Sequence, residues 1–188
     1  MSAILDEPSV RRAVHPISVE SYQHPGGLGL LDRNTELLDG VIVKKMGRSP
    51  LHSAVARRLQ RLIAAALGAS QFLVREDPII TADSAPEPDL AVIEGREDDY
   101  FQQHPRSAAL AVEIAISSVE LDRRKAAIYA AANIPEYWLV EPEAARVTLF
   151  RQPKDGAYQS VEVREAGKTL DAVCLPGLQV DLAALFQH

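Results

Sequence analysis

Two short apolar segments each carry one carboxylate, and this pattern limits the folds that the chain can adopt. The segments are 88–93 (PDLAVI) and 109–114 (ALAVEI). Short, fully apolar runs are typical of strands that are buried on both faces, at the centre of a sheet. A carboxylate in such surroundings is protonated, paired or bound to a metal, because leaving it charged and alone is costly. We therefore predict that Asp89 and Glu113 lie at a shared polar site on a central sheet.

A lysine on the following helix extends this pattern. Lys125 could reach back to the end of the strand that contains Glu113. Two carboxylates and an ammonium are groups that can hold Mg²⁺ and activate water beside a phosphodiester. For Lys125 alone, a solvated side chain paired with Asp122 is an equally good interpretation. Spacings of four, three and four residues put four side chains on one helix face: Ser118, Asp122, Lys125 and Tyr129.

Three further residues are candidates for the same site. His52 falls on the apolar stripe of a predicted helix, in its first turn. A neutral imidazole there can orient water or bind a metal, although a histidine on an apolar stripe is more often a core residue. Glu36 and Glu76 could each add a third carboxylate. Each of these two glutamates, taken singly, also fits a structural or exposed role.

Composition limits the class of protein. The chain has 188 residues, of which 47% are hydrophobic, and this suits a globular domain with a sizeable core. We predict an arm of uncertain order over residues 1–15 and a single domain over 16–188. The lone Cys174 and the lack of a secretory signal or a bilayer-length apolar run predict a cytoplasmic protein without a membrane partner. The net charge of −6 argues mildly against a protein that coats DNA.

Turn and cap signals define the first half of an α/β fold. Asp39-Gly40 is a favoured two-residue turn, and it predicts a hairpin of strands 35–38 and 41–45. Ser49-Pro50 predicts the start of a helix, with serine as the N-cap and proline in the first turn. The apolar stripe of this helix continues to about Ala66.

A second helix and several strands follow. Ser117 and Glu120 fit a capping box that opens a helix to about Ala132, and Asn133 is predicted in the left-handed conformation beyond it. Strands are predicted at 72–76, 79–81, 90–93, 110–116, 136–141, 146–151, 158–165 and 169–173. This order suits a central mixed sheet with a helix on each side.

Several motifs occur in an order that resembles one known family. They are Glu36-Leu37-Leu38-Asp39-Gly40, His52, Glu76, Pro88-Asp89-Leu90-Ala91-Val92, Val112-Glu113-Ile114, Asp122-Arg123-Arg124-Lys125 followed by Tyr129, 134–140 (IPEYWLV) and 175–178 (LPGL). The ordered set covers about residues 17–187. It resembles the Uma-two (Uma2) family of endonucleases, a branch of the PD-(D/E)XK restriction-endonuclease-like superfamily.

The resemblance implies both a fold and a site. The fold is a restriction-endonuclease-like central mixed sheet flanked by helices. Asp89 and Glu113 would bind a divalent metal, Mg²⁺ or Mn²⁺, and Lys125 would be the catalytic lysine. The helix would supply this lysine because an alanine stands where the (D/E)xK pattern places it. Glu36 and His52 match further catalytic positions.

The sequence therefore leads us to expect a Mg²⁺-dependent endonuclease that hydrolyses phosphodiester bonds of nucleic acid, with DNA as the expected substrate. A homodimer is compatible with this activity, because many enzymes that cut duplexes need two sites. One alternative is a catalytically silent nucleic-acid- or protein-binding module on the same fold, which the acidic net charge favours. Another is a metal-dependent phosphohydrolase that acts on small molecules.

Overall fold

The computed structural model describes residues 13–24 and 34–187. The α-helices of this part of the chain are α1 (Val19–Gln23), α2 (Pro50–Ala66), α3 (Val119–Ala131) and α4 (Leu182–Phe186). Its strands are β1 (Thr35–Leu38), β2 (Val41–Lys44), β3 (Gln71–Val74), β4 (Leu90–Glu94), β5 (Leu110–Ile114), β6 (Glu136–Glu141), β7 (Arg146–Lys154), β8 (Ala157–Glu165), β9 (Thr169–Ala172) and β10 (Leu175–Asp181). None of the described helices is long and apolar enough to cross a membrane.

A six-stranded mixed sheet in the order β3-β4-β5-β6-β7-β8 forms the centre of the fold. Strands β5 and β6 run parallel, and the other neighbouring pairs of this sheet are antiparallel. Hairpins β1–β2 and β9–β10 are separate two-stranded sheets. Helix α2 packs on one face of the central sheet together with β10, and α3 packs on the other face. The predicted mixed sheet with a helix on each side is confirmed.

The central strands are mostly apolar because both of their faces are covered. Leu90 and Val92 of β4 point into the core beneath α2, whereas Ala91 and Ile93 point into the core beneath α3. Strand β6 alternates in the same way, with Trp138 on the α2 side. Successive side chains of a strand point to opposite faces, so a strand with two covered faces is apolar at most of its positions on both faces.

Several local predictions are confirmed. Asp39 and Gly40 both have positive φ, 49° and 71°, as the predicted hairpin turn requires. The hydroxyl of Ser49 caps α2 by accepting a hydrogen bond from the backbone N–H of His52. Asn133 has the left-handed φ of 56° that we predicted beyond the end of α3.

Two local predictions are wrong. Residues 79–81 form no strand, since the N–H groups of Ile79 and Ile80 bond to loop carbonyls instead of a neighbouring strand. The predicted capping box does not form. Ser118 is the N-cap of α3, and its hydroxyl donates to the carboxylate of Asp122.

Strand β10 was not predicted from the sequence, and it contains a proline and a glycine, Pro176 and Gly177, near its start. The register with β9 shifts between Leu175 and Val180, which accommodates both residues. Strand β3 begins and ends earlier than predicted, at Gln71–Val74. Most of the arm predicted over 1–15 lies outside the described residues.

A buried glutamate at the start of β6 ties the central sheet to the β9–β10 hairpin. Glu136 is fully buried and accepts hydrogen bonds from Trp138 Nε1 at 2.8 Å, Arg151 Nε at 2.8 Å and the backbone N–H of Val173 at 2.7 Å. The residue belongs to a motif of the resemblance, and these contacts give it a structural role.

We expect Glu136→Gln to lower the free energy of unfolding by about 1.5–3 kcal/mol, because hydrogen bonds to a charged acceptor weaken and an amide donor faces Arg151. Urea unfolding followed by Trp138 fluorescence measures this change. Glu120→Gln, at an exposed position of α3, is a suitable control. An equal loss of stability in both variants would contradict the proposed role of Glu136.

Candidate active site

The pairing of β4 with β5 brings the two predicted metal-binding carboxylates to adjacent positions. Leu90 pairs with Val112 in the antiparallel register, so the next positions along the two strands are Asp89 and Glu113. The Oδ2 atom of Asp89 accepts a hydrogen bond of 2.7 Å from the backbone N–H of Ile114. Strand alternation directs both carboxylates to the face of the sheet that α3 covers.

Helix α3 supplies a lysine that is surrounded by carboxylates. Lys125 is 3% exposed, and its Nζ lies 3.0 Å from Glu113 Oε1, 2.8 Å from Glu36 Oε1 and 3.3 Å from Asp122 Oδ1. The hydroxyl of Tyr129 also donates to Glu113 Oε1, at 2.9 Å. The helix face inferred from the residue spacing is therefore the face that meets the sheet.

The β1–β2 hairpin adds a carboxylate from a distant part of the sequence. Glu36 lies in β1 and is 2% exposed. Its Oε1 pairs with Lys125, and its Oε2 accepts a hydrogen bond of 3.2 Å from the backbone N–H of Glu87. Two backbone hydrogen bonds fasten the hairpin to the loop beside the sheet: the N–H of Gly40 donates to the carbonyl of Asp83, and the N–H of Ala85 donates to the carbonyl of Leu37.

His52, in the first turn of α2, contacts Asp89 rather than the lysine cluster. Its Nε2 lies 3.1 Å from the carboxylate oxygens of Asp89. Its Nδ1 is buried and has no hydrogen-bond partner among the residues that the structure describes. A neutral ring that donates from Nε2 keeps an acceptor lone pair on Nδ1. The contact therefore fixes the orientation of the Asp89 carboxylate.

The cluster carries more negative charge than its lysine can neutralise. Glu36, Glu113 and Asp122 place three carboxylates around one ammonium, and Asp89 adds a fourth carboxylate near Glu113. Burial raises the pKa of Glu113 well above its ordinary value. The ammonium of Lys125 lowers this pKa, whereas the other three acids raise it further. Burial likewise raises the pKa of Asp122. Burial alone would lower the pKa of Lys125, but its three carboxylate neighbours outweigh burial and hold that pKa above its usual range.

A half-open cavity of about 320 Å³ gives access to this cluster. All five predicted catalytic residues line it: Glu36, His52, Asp89, Glu113 and Lys125. The cavity brings these residues together, and their chemical roles remain predictions.

The sequence analysis missed two cationic residues in the lining of this cavity. Lys45 follows β2 and pairs with Glu87, and Arg48 precedes the cap of α2 and pairs with Glu76. Glu76, a candidate third carboxylate, is therefore engaged by an arginine. The sequence gives only a weak signal for these two cations, at a hairpin end and just before a helix cap. The glutamate that pairs with each of them lies far away in the chain.

Comparison with known proteins identifies the family. Residues 29–183 match the Uma2 family, described as a putative restriction endonuclease. The chain belongs to this family. A crystal structure described as a putative nuclease belonging to DUF820 from Anabaena variabilis ATCC 29413 has the same fold, with a TM-score of 0.69 and 19% identity. The alignment covers 81% of this chain and 89% of that chain, and it confirms the predicted restriction-endonuclease-like fold. A comparison with curated proteins found no match.

Restriction-endonuclease-like proteins generally use a divalent metal, and the oxygen donors of this Uma2 chain suit such an ion. Within 13–24 and 34–187, no three histidine, cysteine, aspartate or glutamate side chains form a complete metal cage. Mg²⁺, however, usually keeps several waters and needs only one or two carboxylates. Glu113 Oε1 is occupied by Lys125 and Tyr129, and Oε2 accepts no hydrogen bond from the described residues. The excess negative charge of the cluster also favours a cation.

Proposed function

We propose that this Uma2 protein is a Mg²⁺-dependent endonuclease that hydrolyses phosphodiester bonds of nucleic acid, with DNA as the expected substrate. One observation carries the proposal: carboxylates from β1, β5 and α3 converge on Lys125, in a cavity that Asp89 also lines. Membership of the family supports a nucleic-acid substrate. The need for the metal and the hydrolytic reaction are part of the proposal.

Asp89 and Glu113 would hold the metal in this reaction. When bound, Mg²⁺ or Mn²⁺ would acidify its water and neutralise charge that develops on the phosphate. Lys125 remains an ammonium among its carboxylates, so it can orient the attacking water or stabilise the same developing charge. Glu36 would hold the ammonium in place through its 2.8 Å contact.

His52 would act through Asp89. Its Nδ1 is shielded from solvent, so this atom cannot bind a water in the observed conformation. Its Nε2 instead holds the Asp89 carboxylate, which a backbone N–H holds from the other side. A group that orients a metal ligand typically contributes 10–100-fold to metal affinity or activity, as a rough guide.

We expect His52→Leu to reduce Mg²⁺-dependent cleavage by about 10–100-fold, because the orienting contact to Asp89 is lost. His52→Gln can restore a donor near the position of Nε2 and should lose less activity. Initial cleavage rates at several Mg²⁺ concentrations test this, since a loosened ligand raises the Mg²⁺ concentration needed for half-maximal rate. Equal losses in both variants without that rise would contradict the proposed role.

Two cationic side chains at this cavity can contact the phosphate groups of a nucleic acid. Lys45 and Arg48 line it, and the Arg48 side chain is 44% exposed. Each is paired with a glutamate, so a bound phosphate would compete with Glu87 and Glu76 for these cations. The lining as a whole holds six acidic residues against three cationic ones, and the net charge of the chain is −6. The approach of a phosphate would therefore depend on these two cations together with a bound divalent metal.

Cleavage of supercoiled plasmid and of end-labelled DNA and RNA oligonucleotides tests the proposal directly. We expect cleavage with Mg²⁺ or Mn²⁺, none with a chelator, and loss of cleavage in Lys125→Ala. Arg124→Ala is the matched control, since this neighbour on α3 is exposed and pairs with Glu120. Cleavage that is unchanged in Lys125→Ala would exclude the role of Lys125.

The alternative of a catalytically silent nucleic-acid- or protein-binding module also has an observation in its favour. The ammonium of Lys125 already neutralises part of the cluster, and no complete three-residue metal cage occurs in the described ranges. Calorimetric titration with Mg²⁺ separates the two functions. A nuclease should bind the ion in a way that depends on Glu113, whereas a silent module can bind nucleic acid without binding the metal.

A further inference from the structure

Strand β8 forms one edge of the central sheet. This nine-residue strand is the last of the central sheet, and no strand within residues 13–24 and 34–187 pairs with its outer side. A long free edge offers a row of unpaired backbone donors and acceptors to another strand. Val161 and Val163 stand on this edge and are 57% and 52% exposed.

The direction of the backbone groups follows from one hydrogen bond at the end of the hairpin. The N–H of Ala166 bonds to the carbonyl of Ala145, in continuation of the β7–β8 register. Hydrogen-bonded and non-hydrogen-bonded pairs alternate along an antiparallel ladder. The even-numbered residues at this end of β8 therefore bond to β7. The N–H and C=O groups of Val161, Val163 and Glu165 point outward.

Two opposite charges also lie on this edge. Glu162 and Arg164 are two residues apart and share one face of β8, where Arg164 Nε lies 2.6 Å from Glu162 Oε1. The Glu162 side chain is half exposed, at 49%. Along one strand the acid comes first and the base second. In a second copy that runs antiparallel, the base can therefore lie opposite the acid, and the acid opposite the base. The edge is therefore complementary to itself.

We propose that β8 pairs antiparallel with β8 of a second copy of this chain, about a two-fold axis at Val163. This register places Glu162 of each copy opposite Arg164 of the other, and it matches the outward backbone groups. An axis at Glu162 would set two glutamates against each other, which is destabilising. An axis at Val161 would set Glu162 against Ser160 and form no ion pair. Charge complementarity thus selects the axis at Val163.

This inference goes beyond the proposed function and is independent of it, since it concerns association alone. The central sheets of the two copies would join into one continuous sheet. Pairing of this kind gains affinity from main-chain hydrogen bonds and specificity from the side chains that face each other. The sequence is compatible with a homodimer but does not indicate its interface, and this proposal assigns one.

Charge reversal tests the pairing. We expect Glu162→Arg and Arg164→Glu each to weaken association by about tenfold or more, because each creates two like-charge pairs across the axis. The double variant restores opposite charges and should recover the wild-type dimer. Sedimentation equilibrium measures the dissociation constants, and circular dichroism checks that each variant is folded. A monomeric wild type, single variants that associate normally, or a double variant that stays weak would overturn the proposal.

Cysteine cross-linking tests the register with substitutions that do not alter the charges. In a Cys174→Ser background, Val163→Cys should form a disulfide between copies, since Cα atoms of a hydrogen-bonded pair lie about 5.5 Å apart. Val161→Cys is the matched control, because its copies would be about 14 Å apart along the strands. Cross-linking of Val161→Cys in preference, or of neither variant, would overturn the axis at Val163.

Discussion

Replacement of Lys125 with methionine is expected to lower the free energy of unfolding by about 3–5 kcal/mol. Methionine keeps most of the side-chain volume, so the lost stability reflects the missing positive charge and not lost packing. Three carboxylates within 3.3 Å of the ammonium would be left buried without their cation. Urea unfolding at neutral pH, monitored by Trp138 fluorescence, provides the free energy.

Two further variants separate charge from packing in this experiment. Lys45→Met is the control, because Lys45 lines the same cavity but pairs with the less buried Glu87. It should cost about 1 kcal/mol or less. Adding Glu36→Gln to Lys125→Met removes one of the stranded acids and should recover part of the loss. If Lys125→Met were as stable as the wild type, the ammonium would not be the centre of the cluster.

Substitution of Glu113 by glutamine is expected to reduce metal-dependent cleavage by about 10²–10³-fold, as loss of one group that stabilises developing charge typically does. The amide keeps the size of the side chain, and its oxygen can still accept from Lys125 and Tyr129. The other carboxylate oxygen, however, is replaced by an NH₂ group, which donates hydrogen bonds and cannot bind a cation. Initial cleavage rates on plasmid DNA measure the effect.

Mg²⁺-dependent stability provides an independent test of Glu113. A ligand present at 100 times its dissociation constant stabilises a fold by about 2.7 kcal/mol. Glu113→Gln should lose this stabilisation together with activity. Glu87 lines the same cavity, and the control variant Glu87→Gln should keep both the stabilisation by Mg²⁺ and the activity. An undiminished cleavage rate in Glu113→Gln, or an equal loss in Glu87→Gln, would count against a metal at Glu113.

Local and near-local features of the fold could be predicted from sequence. The hairpin turn at Asp39-Gly40 and the cap at Ser49 depend on residues that are adjacent or nearly so. The proximity of Asp89 and Glu113 also followed, because acids at the ends of neighbouring buried strands share one edge. Helical spacing correctly indicated which face of α3 carries Lys125.

Contacts between distant segments were harder to predict. The pairing of Lys125 with Glu36 requires a hairpin to pack over the sheet, and no local signal states where it packs. The pairs of Lys45 with Glu87 and Arg48 with Glu76 depend on the same packing. Residues 79–81 are apolar enough for a strand, but their backbone partners are loop carbonyls that a periodicity argument does not see.

The partners of Lys125 come from widely separated parts of the chain, with Glu36 near its beginning and Glu113 beyond its middle. Closing such long loops costs entropy, and contacts of this kind slow folding. A nascent chain that has emerged only to the end of β5 holds Glu36 and Glu113 without their counter-charge. Synthesis of α3 would then supply the cation, so the ion pairs of this cluster can form only after residue 125 has left the ribosome.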